Sequence, residues 1–95
     1  MQNTDTTFTA PQIVVLDRGF VYVGQVTTGP DFLTITDAQC IRRWGTSNGL
    51  GELALKGPQA RTQLDAAGTV RAPIRSVIHL IDCAPEAWAK TIPAA

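Results

Sequence analysis

The residues of this chain that are best suited to binding chemistry lie together in the segment 41–49. Arg42 and Arg43 carry guanidinium groups, which fit phosphate oxygens through paired hydrogen bonds, and the indole of Trp44 can stack on a nucleobase. Successive side chains of an extended chain point to opposite faces, so Arg42 shares a face with Trp44 and Arg43 takes the other. If Ile41 is buried, Arg42 and Trp44 face outward together.

A glycine-rich loop follows this cluster. Residues 45–51 include three glycines, which leave backbone N–H groups accessible, and these together with neighbouring hydroxyls could cradle an anion. The glycine spacing matches neither a P-loop nor a Rossmann turn. The sequence therefore predicts a pocket for a small nucleotide, with the ligand-binding residues Arg42, Arg43, Trp44, Thr46, Ser47, Asn48 and Arg75.

A second interpretation of the same cluster stays open. Trp44 could belong to the core, with the neighbouring arginines solvated or paired with Asp37 and Glu52. Arg71 and Arg75 form a further basic pair, which the fold could bring to the first across a sheet or a subunit interface.

The other reactive side chains give little support to catalysis. His79 lies in an apolar run and is predicted to be a buried core histidine. Cys40 and Cys83 are predicted to be free buried thiols, because no C-x-x-C spacing occurs and one histidine cannot complete a four-ligand zinc site with them. The eight acidic residues are spread singly, so a catalytic carboxylate pair is not expected. The sequence predicts a protein that is not an enzyme and that needs no metal or cofactor.

Composition limits the class of partner. The chain has 95 residues, of which 44% are hydrophobic and 17% charged, and eight basic residues balance eight acidic ones. One small domain with a core is expected, and the neutral balance argues against binding to a long nucleic acid. A neutral surface with exposed sheet edges favours a homo-oligomer, either a dimer or a tetramer. No signal peptide or membrane-spanning run is recognised, so a cytosolic location is expected.

The elements that must position these residues are mostly short strands. Gly24 is predicted to mark a bend and Pro73 to limit its strand to a sheet edge, while the late strand is apolar on both faces and is therefore predicted to be central. Trp88 is expected to anchor a C-terminal helix. The predicted strands are 12–16, 20–28, 32–36 continuing as 39–44, a hairpin of 61–64 with 69–72, and 75–83; the predicted helices are 50–55 and 86–91.

This order of elements predicts a mainly β fold. We expect a small antiparallel SH3-like or Sm-like barrel, or a bent sheet, of about five strands with one or two short helices. The domain is predicted to span 11–92, with a flexible N-terminal arm over 1–10 and a frayed C-terminus over 93–95.

The stretch 13–88 resembles a family of small, largely uncharacterised proteins of bacteriophages and prophages. The resemblance is carried by the segments 21–26 (VYVGQV), 36–44 (TDAQCIRRW), 50–57 and 78–87 (IHLIDCAPEA). The family pattern keeps an alanine, one or two arginines and an aromatic residue in the third-strand segment. Ala38, Arg42, Arg43 and Trp44 match it.

The resemblance implies a phage origin and a small set of accessory functions. The first is a counter-defence "sponge", an oligomer in the cytoplasm of the host bacterium that sequesters a cyclic nucleotide immune signal without cleaving it. The alternatives are a virion component, such as a capsid-decorating protein, and an Sm-like adaptor for nucleic acid or protein. The sponge uses the arginine–tryptophan cluster, whereas the virion role leaves it unexplained.

Overall fold

A computed structural model describes residues 10–92 of the chain. The predicted arm over 1–10, apart from its last residue, and the predicted frayed end over 93–95 lie outside the described residues. The strands are β1 (Gln12–Leu16), β2 (Val21–Thr28), β3 (Phe32–Arg43), β4 (Gln63–Pro73) and β5 (Val77–Asp82). The helices are α1 (Gly49–Lys56) and α2 (Pro85–Trp88), with 3-10 turns at Asp17–Gly19 and Ile74–Ser76.

The strands form one antiparallel sheet in the order β4-β3-β2-β1-β5. The two edge strands, β4 and β5, are joined by the three residues Ile74–Ser76. Three residues of 3-10 helix advance the chain by about 6 Å, whereas a flat sheet would hold its first and fifth strands about 19 Å apart. The sheet is therefore strongly bent. This confirms the mainly β prediction in its bent-sheet form; within residues 10–92 no ladder joins β4 to β5, so a closed barrel is not shown.

Two irregular positions produce this bend. The β2–β3 ladder shifts register at Gly24, where an added Cβ would lie 2.7 Å from Ile35 Cγ2 and 2.8 Å from the Thr36 carbonyl oxygen. Only glycine allows the two strands to approach so closely. Asp37 has φ of 54° and interrupts the β3–β4 ladder, as a β-bulge does. The bend predicted at Gly24 is confirmed.

The bent sheet separates two apolar clusters. Successive side chains of β1 point to opposite faces of the sheet, so Val14 lies in the cluster inside the bend and Ile13 in the cluster beneath the helices. The interior cluster contains Val14, Leu16, Leu33, Ile35, Ala38 and Ala72. The helix-side cluster contains Ile13, Val23, Ile41, Leu53, Ala54, Cys83, Trp88 and Ile92.

Trp88 anchors the C-terminal helix, as the sequence predicts, and it does so by contacting α1. Its side chain is fully buried, and its indole N–H donates to the Ala54 carbonyl oxygen at 3.0 Å. Gly57 ends α1 with φ of 81°, and an added Cβ there would collide with the Ala87 carbonyl oxygen. The loop after α1 and helix α2 are therefore in direct contact.

Three sequence predictions were wrong. The predicted hairpin around 65–68 is instead the middle of one continuous strand, β4, because register shifts on either side of Gly68 offset each other and the ladder with β3 continues. The late strand is β5, an edge strand with mostly exposed side chains, and His79 on it is exposed and outside the core. The strand covered on both faces is β1. Pro73 does end an edge strand, as predicted.

No helix among residues 10–92 is both long enough and apolar enough to cross a membrane.

Candidate functional site

The arginine–tryptophan cluster lies at the end of β3 and is exposed to solvent. Ile41 is buried in the helix-side cluster, so Arg42 points outward. Trp44 follows the last residue of the strand and is 45% exposed. Trp44 therefore lies at the surface and not in the core, contrary to the second interpretation of the cluster. We call the surface formed by Arg42–Trp44 and the loop 45–49 the Trp44 corner.

The backbone of the Trp44 corner is fixed from both sides. The Thr62 hydroxyl donates to the Trp44 carbonyl oxygen at 2.6 Å. Gly45 has φ of 73° and lies so close to Arg61 and Thr62 that a Cβ would overlap their backbone. A Cβ at Gly49 would lie 3.8 Å from Trp44 Cζ3, which places the indole beside the start of α1. The backbone that carries this exposed aromatic ring is thus held by contacts with Arg61 and Thr62.

Arg42 is already paired within the protein. Its Nε lies 2.9 Å from Asp65 Oδ2 and its Nη2 donates to Asp65 Oδ1 at 3.3 Å, so the two groups meet through two contacts. The predicted partners were Asp37 and Glu52, and the partner is instead an acid on β4. A phosphate at this guanidinium would have to displace Asp65, which makes Arg42 the weaker of the two candidate arginines.

Polar groups of the loop 45–49 form hydrogen bonds within the chain. The Glu52 carboxylate accepts from the Asn48 backbone N–H at 2.8 Å, and the Thr46 hydroxyl donates to the Gly49 carbonyl oxygen at 2.6 Å. The hydrogen bond from Asn48 lowers the pKa of the Glu52 carboxyl, and Lys56, 3.5 Å away, adds to this effect. The predicted anion cradle is therefore filled by a carboxylate of the chain itself. Ser47 is exposed.

Two exposed arginines beside Trp44 have no ion pair within residues 10–92. Arg43 is the last residue of β3, opposite Gln63. Arg61 touches Gly45 through its backbone and carries an exposed side chain. Sequence reasoning missed Arg61, because 16 positions separate it from Gly45 and no local pattern joins them. The close approach at a positive-φ glycine is visible only in three dimensions.

Arg75 does not belong to the Trp44 corner. It lies in the 3-10 turn after β4, where the Ile74 backbone N–H donates to the Asp31 carbonyl oxygen at 3.0 Å. Asp31 comes just before the start of β3, and the Trp44 corner comes at its end. A strand of twelve residues is about 36 Å long when straight. The structure brings the other six predicted residues together and leaves Arg75 at the opposite end of the strand.

A second surface, which we call the Phe32 cleft, lies at that opposite end. It has a volume of about 240 Å³. Leu33 points into the interior cluster, so Phe32 and Thr34 point outward, and Arg71 stands opposite Thr34 across the ladder. Phe32 is 50% exposed. The cleft is lined by Thr27, Gly29, Pro30, Asp31, Phe32, Thr34 and Arg71.

The titratable groups do not converge on one point. No group of three or more histidine, cysteine or acidic residues that could hold a metal ion occurs within residues 10–92. The Asp82 carboxylate accepts a hydrogen bond from the Gln12 side chain at 2.8 Å. Both cysteines are free, Cys83 buried and Cys40 partly exposed.

No family model, curated protein or solved structure matches this chain. The resemblance to phage proteins stays a prediction, and the geometry of the two surfaces is what bears on function.

Proposed function

We propose that the protein is a phage counter-defence sponge, which binds a small cyclic nucleotide at the Trp44 corner and retains it without turnover. The observation that carries the proposal is the exposed indole of Trp44, which follows Arg43 directly and precedes Gly45, the residue that the Arg61 backbone approaches; neither arginine has an ion pair within residues 10–92. Stacking of a base on Trp44 and contact of either arginine with phosphate are the two interactions that a nucleotide offers together.

The same surface disfavours other anionic partners. A long nucleic acid is held by many phosphate contacts, and the chain has no excess of basic over acidic residues. A lone inorganic anion would gain nothing from the exposed indole. The Arg42–Asp65 pair lies beside the proposed site and orients Arg42, and it leaves Arg43 as the arginine for phosphate.

Calorimetry against a panel of cyclic dinucleotides and trinucleotides tests the proposal. Arg43→Ala and Arg61→Ala are each expected to remove a charge-assisted contact of about 1.5–3 kcal/mol, or about ten- to a hundredfold in affinity. Trp44→Ala should lose about 1–3 kcal/mol of stacking. Arg75→Ala is the matched control, because Arg75 is exposed in the Ile74–Ser76 turn, at the opposite end of β3 from the site.

An additional variant separates the two candidate surfaces. Arg71→Ala alters the Phe32 cleft and leaves the Trp44 corner intact. A nucleotide whose affinity falls in Arg71→Ala and is unchanged in Trp44→Ala would move the site to the cleft. Absence of binding to every nucleotide in the panel would refute the sponge function, and chromatographic detection of a linear product would refute retention without turnover.

A structural role in the virion is the second candidate. It is favoured by the aliphatic side chains that β5 exposes, Ile78 and Leu80. Detection of the protein in purified phage particles, together with no response to any nucleotide, would support this role over the sponge.

A further inference from the structure

The loop of the Trp44 corner carries the one Asn-Gly step of the sequence, at Asn48 and Gly49. The chain has one other asparagine, Asn3, and a threonine follows it. The backbone nitrogen after an asparagine can close a five-membered ring with the carbonyl carbon of the asparagine side chain. Glycine leaves that nitrogen unhindered because it has no Cβ, whereas a β-branched residue such as threonine crowds it.

The reaction that this arrangement favours is deamidation. The Gly49 backbone nitrogen attacks Asn48 Cγ, and the new N–Cγ bond replaces the bond from Cγ to Nδ2. The proton of the attacking nitrogen ends on the departing one, so that ammonia leaves and a succinimide ring remains. Water then opens the ring at Cγ, which gives aspartate, or at the backbone carbonyl carbon, which gives isoaspartate. One water is consumed, one ammonia is released, and no group is oxidised or reduced.

The two reacting groups are accessible in the folded chain. Asn48 is exposed, and its side-chain amide neither caps α1 nor forms another hydrogen bond within residues 10–92. Gly49 is the first residue of α1, a position at which the backbone N–H has no acceptor within the helix. Hydrogen bonds of the two reacting groups therefore do not oppose the reaction.

The backbone conformation at Asn48 slows the reaction while the loop is closed. Its ψ of 26° turns the Gly49 nitrogen nearly opposite the Asn48 Cβ, so attack requires a rotation that brings the two to the same side. Two hydrogen bonds resist this rotation. The Asn48 backbone N–H donates to the Glu52 carboxylate at 2.8 Å, and the Thr46 hydroxyl donates to the Gly49 carbonyl oxygen at 2.6 Å.

Local opening of the loop removes this restraint without unfolding the domain. None of the residues 45–49 is buried, so rotation at Asn48 exposes little apolar surface. Segments with few buried contacts open at a small fraction of the free energy of global unfolding. The two hydrogen bonds are therefore the main contacts that must break before the ring can close.

We propose that Asn48 is a modification site, at which attack by the Gly49 nitrogen converts the asparagine to aspartate and isoaspartate, and that the hydrogen bonds to Glu52 and from Thr46 set the rate by holding the loop closed. The reaction needs water and no enzyme. Its product places a new carboxylate in the Trp44 corner and turns the zero net charge of the chain negative.

Peptide mass spectrometry of the full chain, incubated at pH 8, is the first test. The peptide that contains Asn48 should gain the mass of an amide-to-acid conversion and separate into two products on chromatography. The peptide that contains Asn3 should keep its mass over the same period. The same incubation in 8 M urea should accelerate the reaction at Asn48, because the loop is then open in every molecule.

Variants of the two restraining residues are the second test. Glu52→Ala removes the acceptor of the Asn48 N–H and should accelerate deamidation by about two- to tenfold, the effect of one hydrogen bond. Thr46→Ala should act in the same direction. Lys56→Ala is the matched control, because it removes the contact of Lys56 with Glu52 and leaves the bond to Asn48 in place; it should react at the wild-type rate. Far-UV circular dichroism checks that all three variants are folded.

The effect of the modification on binding rests on the proposed nucleotide function. Asn48→Asp imitates one product, and its added charge should weaken nucleotide affinity in calorimetry, with a loss that shrinks as salt is raised. Asn48→Gln, which stays neutral, is the control and should bind as the wild type does. Mass spectrometry needs no nucleotide, so failure of the sponge function and failure of the modification are read separately.

Three results would overturn the proposal. One is an unchanged Asn48 peptide in the folded protein over a period in which the chain in urea is fully converted. Another is a faster reaction at Asn3 than at Asn48 in the folded chain. The third is an equal rate in the wild type, Glu52→Ala and Thr46→Ala, which would refute control by the two hydrogen bonds.

Discussion

At the scale of single residues, burial gives the two cysteines different chemistry. Cys83 lies in the helix-side cluster, and loss of solvent raises the pKa of its thiol to about 12, with the nearby Asp82 charge adding to this effect. Cys40 is partly exposed on β3. Only the thiolate is nucleophilic, so the two side chains should differ strongly in reactivity.

We predict that iodoacetamide at pH 8 alkylates Cys40 and spares Cys83. A thiol with a pKa of about 12 has a thiolate fraction roughly a thousandfold below that of a free cysteine at this pH. Peptide mass spectrometry over time measures both sites, and the same reaction in 8 M urea, where both should react, is the control. Equal rates in the folded protein would contradict the burial of Cys83.

The same residue gives a pH dependence of stability with a definite sign. The pKa of Cys83 is higher in the folded state than in the unfolded state, so its contribution to stability is fully present below about pH 8.5 and declines as the pH rises toward 12. Replacement of Cys83 by alanine should make the free energy of unfolding decline less steeply with pH in this alkaline range. Any change in stability from lost packing should be the same at every pH.

At the scale of elements, local sequence patterns predicted which segments form strands more reliably than they predicted which strands lie side by side in the sheet. The boundaries of β1 and the bend at Gly24 follow from β-branched runs and from glycine, which act locally. The position of β5 at an edge of the sheet does not follow from local sequence. A run of apolar residues has the same pattern in a central strand and in an edge strand with exposed apolar side chains. The continuity of β4 depends on irregularities in both β3 and β4 that return the ladder to its register, so the sequence of β4 alone could not reveal it.

The candidate site shows the same division. Exposure of Arg42 followed from the burial of Ile41, one position away. The partner of Arg42, the carboxylate that fills the loop, and the approach of Arg61 all depend on contacts between segments, and no spacing in the sequence encodes them.

Helix α2 depends on its tryptophan. Four residues are too few for a helix that is stable alone, so packing of Trp88 must hold it. We predict that Trp88→Ala lowers the free energy of unfolding by about 3–5 kcal/mol. Trp88→Phe should cost less, because it keeps a buried aromatic ring. It removes the indole N–H donor to the Ala54 carbonyl oxygen, but the Ala84 N–H still donates to that oxygen.

Urea unfolding followed by circular dichroism measures these changes. Trp44→Ala is the matched control, since Trp44 is the second tryptophan and lies at the surface; its cost should stay within about 1 kcal/mol. Equal losses for the two alanine variants would show that Trp88 does not have this anchoring role.

At the scale of the whole molecule, the question is whether two apolar clusters make one cooperative unit. β1 contributes Ile13 to the cluster beneath the helices and Val14 to the cluster inside the bend. Detachment of β1 would therefore expose both clusters at once. A chain of 95 residues is also in the size range where unfolding is usually two-state. One transition is therefore expected, although the core is divided.

A matched pair of fully buried isoleucines tests this cooperativity: Ile13 lies in the helix-side cluster and Ile35 in the interior cluster. Each replacement by valine should cost about 0.5–1.5 kcal/mol, and each 1 kcal/mol should lower the melting temperature by about 4–8 °C. Far-UV circular dichroism follows the sheet, and fluorescence in a Trp44→Phe background follows Trp88 beneath the helices. Both signals should shift together in both variants, because β1 couples the clusters. If Ile35→Val moved the dichroism transition and left the Trp88 transition in place, the clusters would unfold separately and the coupling through β1 would be refuted.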